Sequence, residues 1–356
     1  MNRIFLTLFA VLLAISGTAQ VRGKIEIPNL NGFITLKCDF HIHTVFSDGL
    51  VWPTVRISEA HREGLDAIAI TDHIEYRPYN RDVVGSHNRS YEIAAPAAKA
   101  AGIILIKGSE ITRAMPPGHH NALFLTDSDP LDQADYMDAF NAAKKQNAFI
   151  FWNHPGWDAQ QPDTTLWFAE HTRLLEQGLM HGIEVVNGQY FPEAHRWCLE
   201  KNLTMIGTSD VHDAARYDLV KGAHRTMTLV FAKEASEQGI REALDNRRTA
   251  IYHGENLIGE ERYLKELFER ALDIKMEKSA NSVRITIKNN SDLIFRLKKT
   301  KHDERLVYFR TYNIVPQGQH TITVRFQDGI QGGDMNFNVE NLLVGPHQGM
   351  NYTLKL

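Results

Sequence analysis

The sequence predicts an α/β barrel followed by a small all-β, sandwich-like domain, and three observations carry that prediction. From Phe33 to about Tyr252, short apolar runs alternate with segments of helical periodicity, the mark of strand–helix repetition around a largely parallel sheet. After about Leu272 the spacing changes to alternation of apolar and polar residues between turn-forming stretches, the mark of half-buried strands. In the first region the apolar runs end in histidine, aspartate or glutamate, as strands do when their carboxyl ends open on a common rim.

Taken in order, the chain opens with "MNRIFLTLFAVLLAISGTAQ": a basic Arg3, an apolar run from Ile4 to Ile15, then the small residues Gly17 and Ala19. This reads as a cleavable secretory signal over residues 1–19, too short for a comfortable membrane span, so the expected product is a soluble exported protein, periplasmic or extracellular. The strand candidates are "FITLKCDF", "LDAIAITD", "GIILIKGSE", "NALFLTD", "AFIFWNHP", "GIEVVNG", "LTMIGTSD" and "TMTLVFA", separated by helix-like segments such as "PTVRISEAHREG", "YEIAAPAAKAAG", "LDQADYMDAFNAAKKQN" and "SEQGIREALDNRR". About seven or eight such units fit a closed or nearly closed barrel better than an open sheet. The barrel is assigned residues 23–270, with "ERYLKELFERALDI" as the helical approach to an all-β domain over 271–356, where "SVRITIKNNSDLIFRL", "HTITVRF" and "NYTLKL" alternate.

Composition narrows the function. With 356 residues, 43% hydrophobic and 23% charged, the chain can build a sizeable core and two domains. A net charge of −4 gives no basic excess for nucleic-acid phosphates, and two cysteines exclude a disulfide framework. The unusual count is 17 histidines.

Several of those histidines stand where a metal would need them. In "DFHIHTVFSDG", strand alternation turns Asp39, His41 and His43 to one side and Cys38, Phe40 and Ile42 to the other, so two imidazoles converge. Further strand ends add Asp48, Asp72 and His73, Glu110, His154, and Asp210 with His212. Neutral imidazoles mixed with carboxylates suit Zn, Mn or Fe rather than Ca or Mg, and more than four ligands imply more than one ion. A carboxylate such as Glu110 can bridge ions, and water trapped between them is activated as hydroxide, so the chemistry expected is metal-assisted hydrolysis. Asp39 and Asp72 are read as orienting ligands or closing turns rather than coordinating.

In this order "HIHTVFSDG", "TDH", "GSE", "GHH", "NHP" and "SDVH" resemble the polymerase and histidinol phosphatase (PHP) superfamily, and "CDFHIHTVFSDGLVWPTVRISEAHREGLDAIAITDHIEYRP" with "MPPGHHNALFL" is similar to its exported Sb-PDE family phosphodiesterases. The resemblance covers roughly Lys37 to Tyr252 and implies a distorted (β/α)7 barrel with a trinuclear metal site. Carried over residue by residue, it implies His41, His43, Glu110 and Asp210 on one ion, Glu110, His119 and His154 on a second, and Asp48, His73 and His212 on a third. Asp48 stands where some members have histidine. Alternation opposes His119 to His120, and His119 follows the glycine as the family ligand does.

The reaction expected is hydrolysis of a phosphodiester by attack of a metal-bridging hydroxide, with a phosphomonoesterase, or a metal-containing protein that binds a glycan or polymer, as alternatives. Arg77, His87, Arg89 and Arg225 are candidates for the phosphate, and Asp210, His212 or a metal-bound water for protonating the leaving oxygen. The partner expected is therefore a small phosphate ester. The histidines at positions 61, 171, 181, 195, 302, 320 and 347 are read as facing solvent, and Trp152, Trp157, Trp167 and Trp197 mainly as core, with Trp157 nearest the rim.

Overall fold

The computed structural model describes residues 21–217 and 223–356, so the expected signal segment, residues 1–19, lies outside the described residues. Among the described residues no helix is long and apolar enough to cross a membrane.

Strands β1 (Ile34–Asp39), β2 (Ala67–Ile70) and β3 (Ile104–Ile111) lie parallel, joined by α1 (Pro53–Arg62) and α2 (Arg89–Ala101). Helix α2 stops where Gly102 adopts φ +68, the left-handed turn that glycine allows at a helix end. The next strand, β4 (His120–Leu123), runs antiparallel to both β3 and β5 (Phe149–Trp152), with α3 (Tyr136–Lys145) between β4 and β5. Past α4 (Ala169–Glu176), β6 (Gly182–Asn187) is again parallel to β5, and the two-residue β7 (Gln189–Tyr190) folds back on it. Helix α5 (Pro192–Lys201) leads to β8 (Thr204–Thr208), parallel to β6.

The barrel then closes with a change of direction. β9 (Met227–Ala232) runs antiparallel to β1, and after α6 (Glu237–Asp245) come β10 (Thr249–His253) and β11 (Asn256–Gly259), each antiparallel to its predecessor. Two strands read as barrel members, "NALFLTD" and "TMTLVFA", therefore break the expected parallel order. No described α-helix separates β3 from β4 or β8 from β9; the short link after β3 can only reverse the chain, and β9, reached by a longer passage, runs against β1. Where β8 meets β9 and β10, side chains replace the backbone ladder: the Thr228 hydroxyl donates to the Gly207 carbonyl (2.8 Å) and accepts from its N–H (3.0 Å), and Thr249 Oγ1 donates to the Met205 carbonyl (2.9 Å). A Cβ on Gly207 would stand 2.2 Å from Ile251 Cγ2, so only glycine permits this approach.

Helix α7 (Glu261–Ala271) buries Tyr263, Leu264, Leu267 and Phe268 and passes directly into β12 (Leu272–Ser279). Strands β13 (Ser282–Asn289), β14 (Phe295–Lys299), β15 (Leu306–Val307), β16 (Thr311–Ile314), β17 (Gln319–Phe326), β18 (Asp334–Gly345) and β19 (Gln348–Lys355) follow. One sheet has the order β12-β13-β17-β15, and β16, β14, β18 and β19 form the other. Val283, Ile285 and Val324 meet Phe295, Phe337 and Val339 between them, as alternation requires. β18 also pairs in parallel with β11, Leu257 opposite Leu342, so the second sheet continues into the barrel sheet. The core of the all-β domain is contiguous with the layer formed by α1, α2 and α7.

Candidate metal centre

The strand ends deliver their ligands to one rim. His41 and His43 follow β1, Asp72 and His73 follow β2, Glu110 lies near the end of β3, His154 follows β5, and Asp210 and His212 follow β8. His119 precedes its strand, yet because β4 is antiparallel its start lies beside the ends of β3 and β5, with His120 paired to Ile111 and Trp152. The reversal of β4 thus brings "GHH" to the same rim as the other motifs. His119 faces the centre, its Nδ1 3.0 Å from Glu110 Oε1. His120 turns the other way, stacked on Trp152 at 6.4 Å and against Phe140 at 4.9 Å.

Glu110 is the hub. Its Oε2 lies 2.7 Å from His73 Nδ1, 3.4 Å from His43 Nε2 and 3.5 Å from His41 Nε2, while its Oε1 lies 3.0 Å from His119 and 3.7 Å from His154 Nε2. The Asp210 Oδ1 oxygen is 3.1 Å from the Nε2 atoms of both His41 and His43. Asp48 Oδ1 is 3.2 Å from His212 Nε2 and 3.4 Å from His73 Nε2. Three overlapping ligand groups result: His43, Asp48, His73 and His212; His41, His43 and Glu110; and His73, Glu110 and His119. All nine residues expected as ligands lie together here; His43 lies within reach of Asp48, His73 and His212, and His73 within reach of Glu110 and His119, while His154 approaches the same Glu110 oxygen as His119.

The donor set asks for cations. His41 Nδ1 sits 2.8 Å from Glu184 Oε1 and donates to it, which leaves Nε2 as a bare lone pair facing His43 Nε2 at 3.0 Å and the oxygens of Glu110 and Asp210. Asp48 Oδ1, Glu110 Oε2 and Asp210 Oδ1 are buried without a hydrogen-bond donor. Lone pairs converging in the interior are costly until a divalent ion sits among them, so these residues fit one. Protons compete with such an ion for the same imidazoles. Burial would depress the imidazoles, but the carboxylates outweigh it: His73 is pushed up to about 10, mainly by Glu110, and His41 is held well above its usual value by Asp210, Glu184 and Glu110. Glu110 and Asp210, despite burial, are held well below the usual carboxylate range by the surrounding imidazoles, and burial takes His43 down to about 4.

A second layer fixes the ligands. Glu184, fully buried on β6, accepts from His41 Nδ1 and Thr208 Oγ1 through Oε1, and from the His154 N–H (2.6 Å) and Asn187 Nδ2 (2.8 Å) through Oε2. Sequence reasoning missed it, although Glu in the otherwise apolar run "GIEVV" is the signal, because a carboxylate in a buried strand must have partners. Asp72 closes the turn after His43, accepting from the Thr44 N–H (2.7 Å) and from the Ser47 hydroxyl (2.8 Å). Asp39 accepts from the Ser209 N–H and hydroxyl, which sets up Asp210 in the left-handed region at φ +51; His154 is likewise at φ +28. Such backbone at two ligand positions is strain held in place by the surrounding network.

The arginines go elsewhere. Arg225, expected at the phosphate, is buried with Nη1 3.0 Å from Asp39 and Nε against Glu63, so it neutralises a buried carboxylate behind the site. Arg77 donates to the Phe46 and Gly85 carbonyls, His87 faces Asp132, and Arg89 pairs with Glu92. No described lysine or arginine lines the cavity of about 480 Å³ over the ligands, whose walls include Trp157, Asn187, Gln189 and Phe191. Two histidines expected in solvent are also corrected: His171 is buried, bridging the Phe168 N–H and the Pro117 carbonyl, and His195 is buried against the Tyr190 hydroxyl.

An α/β barrel with such overlapping ligand groups on its carboxyl rim defines a metal-dependent hydrolase. Residues 39–251 match the PHP domain, and residues 272–355 match an Ig-like domain. The chain belongs to the PHP-domain family. It is similar to a crystal structure from Bacteroides vulgatus, a "two-domain protein containing predicted PHP-like metal-dependent phosphoesterase", at 60% identity over 95% of this chain and 100% of that one, with a TM-score of 0.93. A crystal structure from Bifidobacterium adolescentis, "a putative metal-dependent phosphoesterase", shares 16% identity over 59% of this chain and 96% of its own, with a TM-score of 0.44. The comparison with curated proteins gave no match.

Proposed function

We propose that this chain is an exported phosphodiesterase using two or three ions of Zn, Mn or Fe. The observation that carries the reading is Glu110, whose two oxygens face five imidazoles in overlapping groups, an arrangement suited to bridging adjacent ions. Bound there, divalent ions supply Lewis acidity to phosphoryl oxygens and acidify a water to a nucleophile. The chain's own residues do the rest. Glu184 and Asp39 hold His41 and Asp210 in line, Asn187 Nδ2 reaches Asp210 Oδ2 at 3.2 Å from the cavity wall, and His212, 35% exposed, stands at the mouth where a leaving oxygen needs a proton.

The wall without described arginine or lysine supports a diester, which carries one negative charge, over a monoester, which carries up to two and calls for more cations. Export rests on the signal-like residues 1–19. The test compares bis(4-nitrophenyl) phosphate with 4-nitrophenyl phosphate on protein loaded separately with Mn, Zn and Fe. Faster turnover of the diester, lost in His41→Ala, supports the reading. Faster turnover of the monoester makes the chain a phosphatase, and no turnover with any metal rejects the proposal.

A further inference from the structure

Trp157 is half in and half out of the molecule in an unusual place. Its indole is 44% exposed, while most large aromatic side chains here are buried, and it lines the cavity above the ligand groups. One side of the ring packs on ligand imidazoles, 5.2 Å from His154 and 5.7 Å from His119. The rest faces open space, so core packing does not account for it.

The backbone beneath the ring is pinned. The Trp157 N–H donates to the His154 carbonyl at 3.0 Å, and the Trp157 carbonyl accepts from the N–H groups of Gln160 (2.9 Å) and Gln161 (2.8 Å). The preceding Gly156 admits no side chain, because a Cβ would stand 2.5 Å from Thr165 Oγ1 and 2.8 Å from Phe191 Cδ1. An exposed ring on a fixed turn is a preorganised surface, and little ordering is required when a flat group settles on it. A second exposed ring, Tyr76 at 53% exposure, lies 5.9 Å from His73. The described lining of the cavity offers no arginine or lysine fork for the substituents of a phosphate ester; beside the amides of Asn187 and Gln189 it offers the aromatic faces of Trp157 and Phe191.

Building on the phosphodiesterase reading above, we infer that Trp157 is a specificity-determining residue which stacks against a planar aromatic or heteroaromatic substituent of the diester. The substrate class is thereby an aryl or nucleobase-bearing phosphodiester rather than a simple alkyl one. A cavity of about 480 Å³ has room for one such ring beside the phosphate.

The test uses phosphinates, which carry one negative charge and two P–C bonds that the enzyme does not hydrolyse. The affinities of metal-loaded protein for diphenylphosphinate and dimethylphosphinate are measured by calorimetry in the native chain, Trp157→Ala and Trp157→Phe, with metal content determined for each. The native chain is expected to favour the diphenyl compound by at least about tenfold, Trp157→Ala to lose most of that preference, and Trp157→Phe to keep it, as stacking predicts. An equal preference in the native chain and Trp157→Ala, or no binding of either phosphinate, overturns the inference. So does a loss of metal in Trp157→Ala that lowers both affinities alike, since the indole would then only support His119 and His154. Turnover of bis(4-nitrophenyl) phosphate by the native chain, measured in parallel, keeps the phosphodiesterase reading separate: it stands if the diester is cleaved while the phosphinate preference is absent.

Discussion

Glu184 shows how much a single buried side chain can govern. Its carboxylate fixes the tautomer of His41 and the backbone of His154, so Glu184→Ala is expected to weaken metal binding by about 10- to 100-fold, read by competition with a chelator. An unchanged affinity would show that His41 needs no orienting partner. Arg225 poses the reverse case, a cation whose removal leaves Asp39 and Glu63 buried and unpaired. Arg225→Ala should cost about 3–5 kcal/mol in denaturant unfolding. The imidazoles also set the pH behaviour. Against the opposing effect of burial, Glu110 and Asp48 push His73 up to about 10 in the folded chain, against an ordinary value when unfolded, so its protonated form contributes stability fully below about pH 6.5, and the contribution is lost as pH rises through 10. A bound ion must displace the same proton, so metal affinity should rise steadily from pH 6 to pH 9, measured by equilibrium dialysis.

At the scale of the element, β4 decides the site. The sequence marks "NALFLTD" as a strand and "GHH" as a ligand motif, but not the direction of the strand, which depends on the short link from β3. Strand alternation was enough to oppose His119 and His120, and the structure assigns the first to Glu110 and the second to the Trp152 stack. His119→Ala is therefore expected to lower bound metal, while His120→Ala should lower the unfolding midpoint and leave metal content near that of the native chain, read by elemental analysis beside calorimetry. The ligand motifs were legible because each places histidine, aspartate or glutamate at the end of an apolar run. Glu184 and the buried His171 and His195 were not: Glu184 is satisfied by His41 and Thr208 and His171 by the Pro117 carbonyl, contacts between distant segments, and the burial of His195 depends on which face of its helix packs inward. The hairpin of β10 and β11 escaped notice too, because "TAIYH" and "NLIG" are too short to show a period.

Across the whole molecule the two domains are less separate than the change in periodicity suggests. The alternation after Leu272 revealed the all-β domain, but not the parallel pairing of β18 with β11, a long-range contact that no local pattern encodes. Helix α7 lies in the seam, where Phe268 meets Phe295 at 5.0 Å and Tyr352 at 4.8 Å. Phe268→Ala should destabilise the chain by about 3–5 kcal/mol. The claim on which the rest depends is that Glu110 joins more than one ion in a single centre, and the number of metal ions bound per chain by the native protein and by Glu110→Ala tests it most directly. The account predicts two or three in the native chain and at most one in the variant, with loss of phosphoesterase activity; one ion or none in the native chain, or undiminished metal in Glu110→Ala, would contradict it.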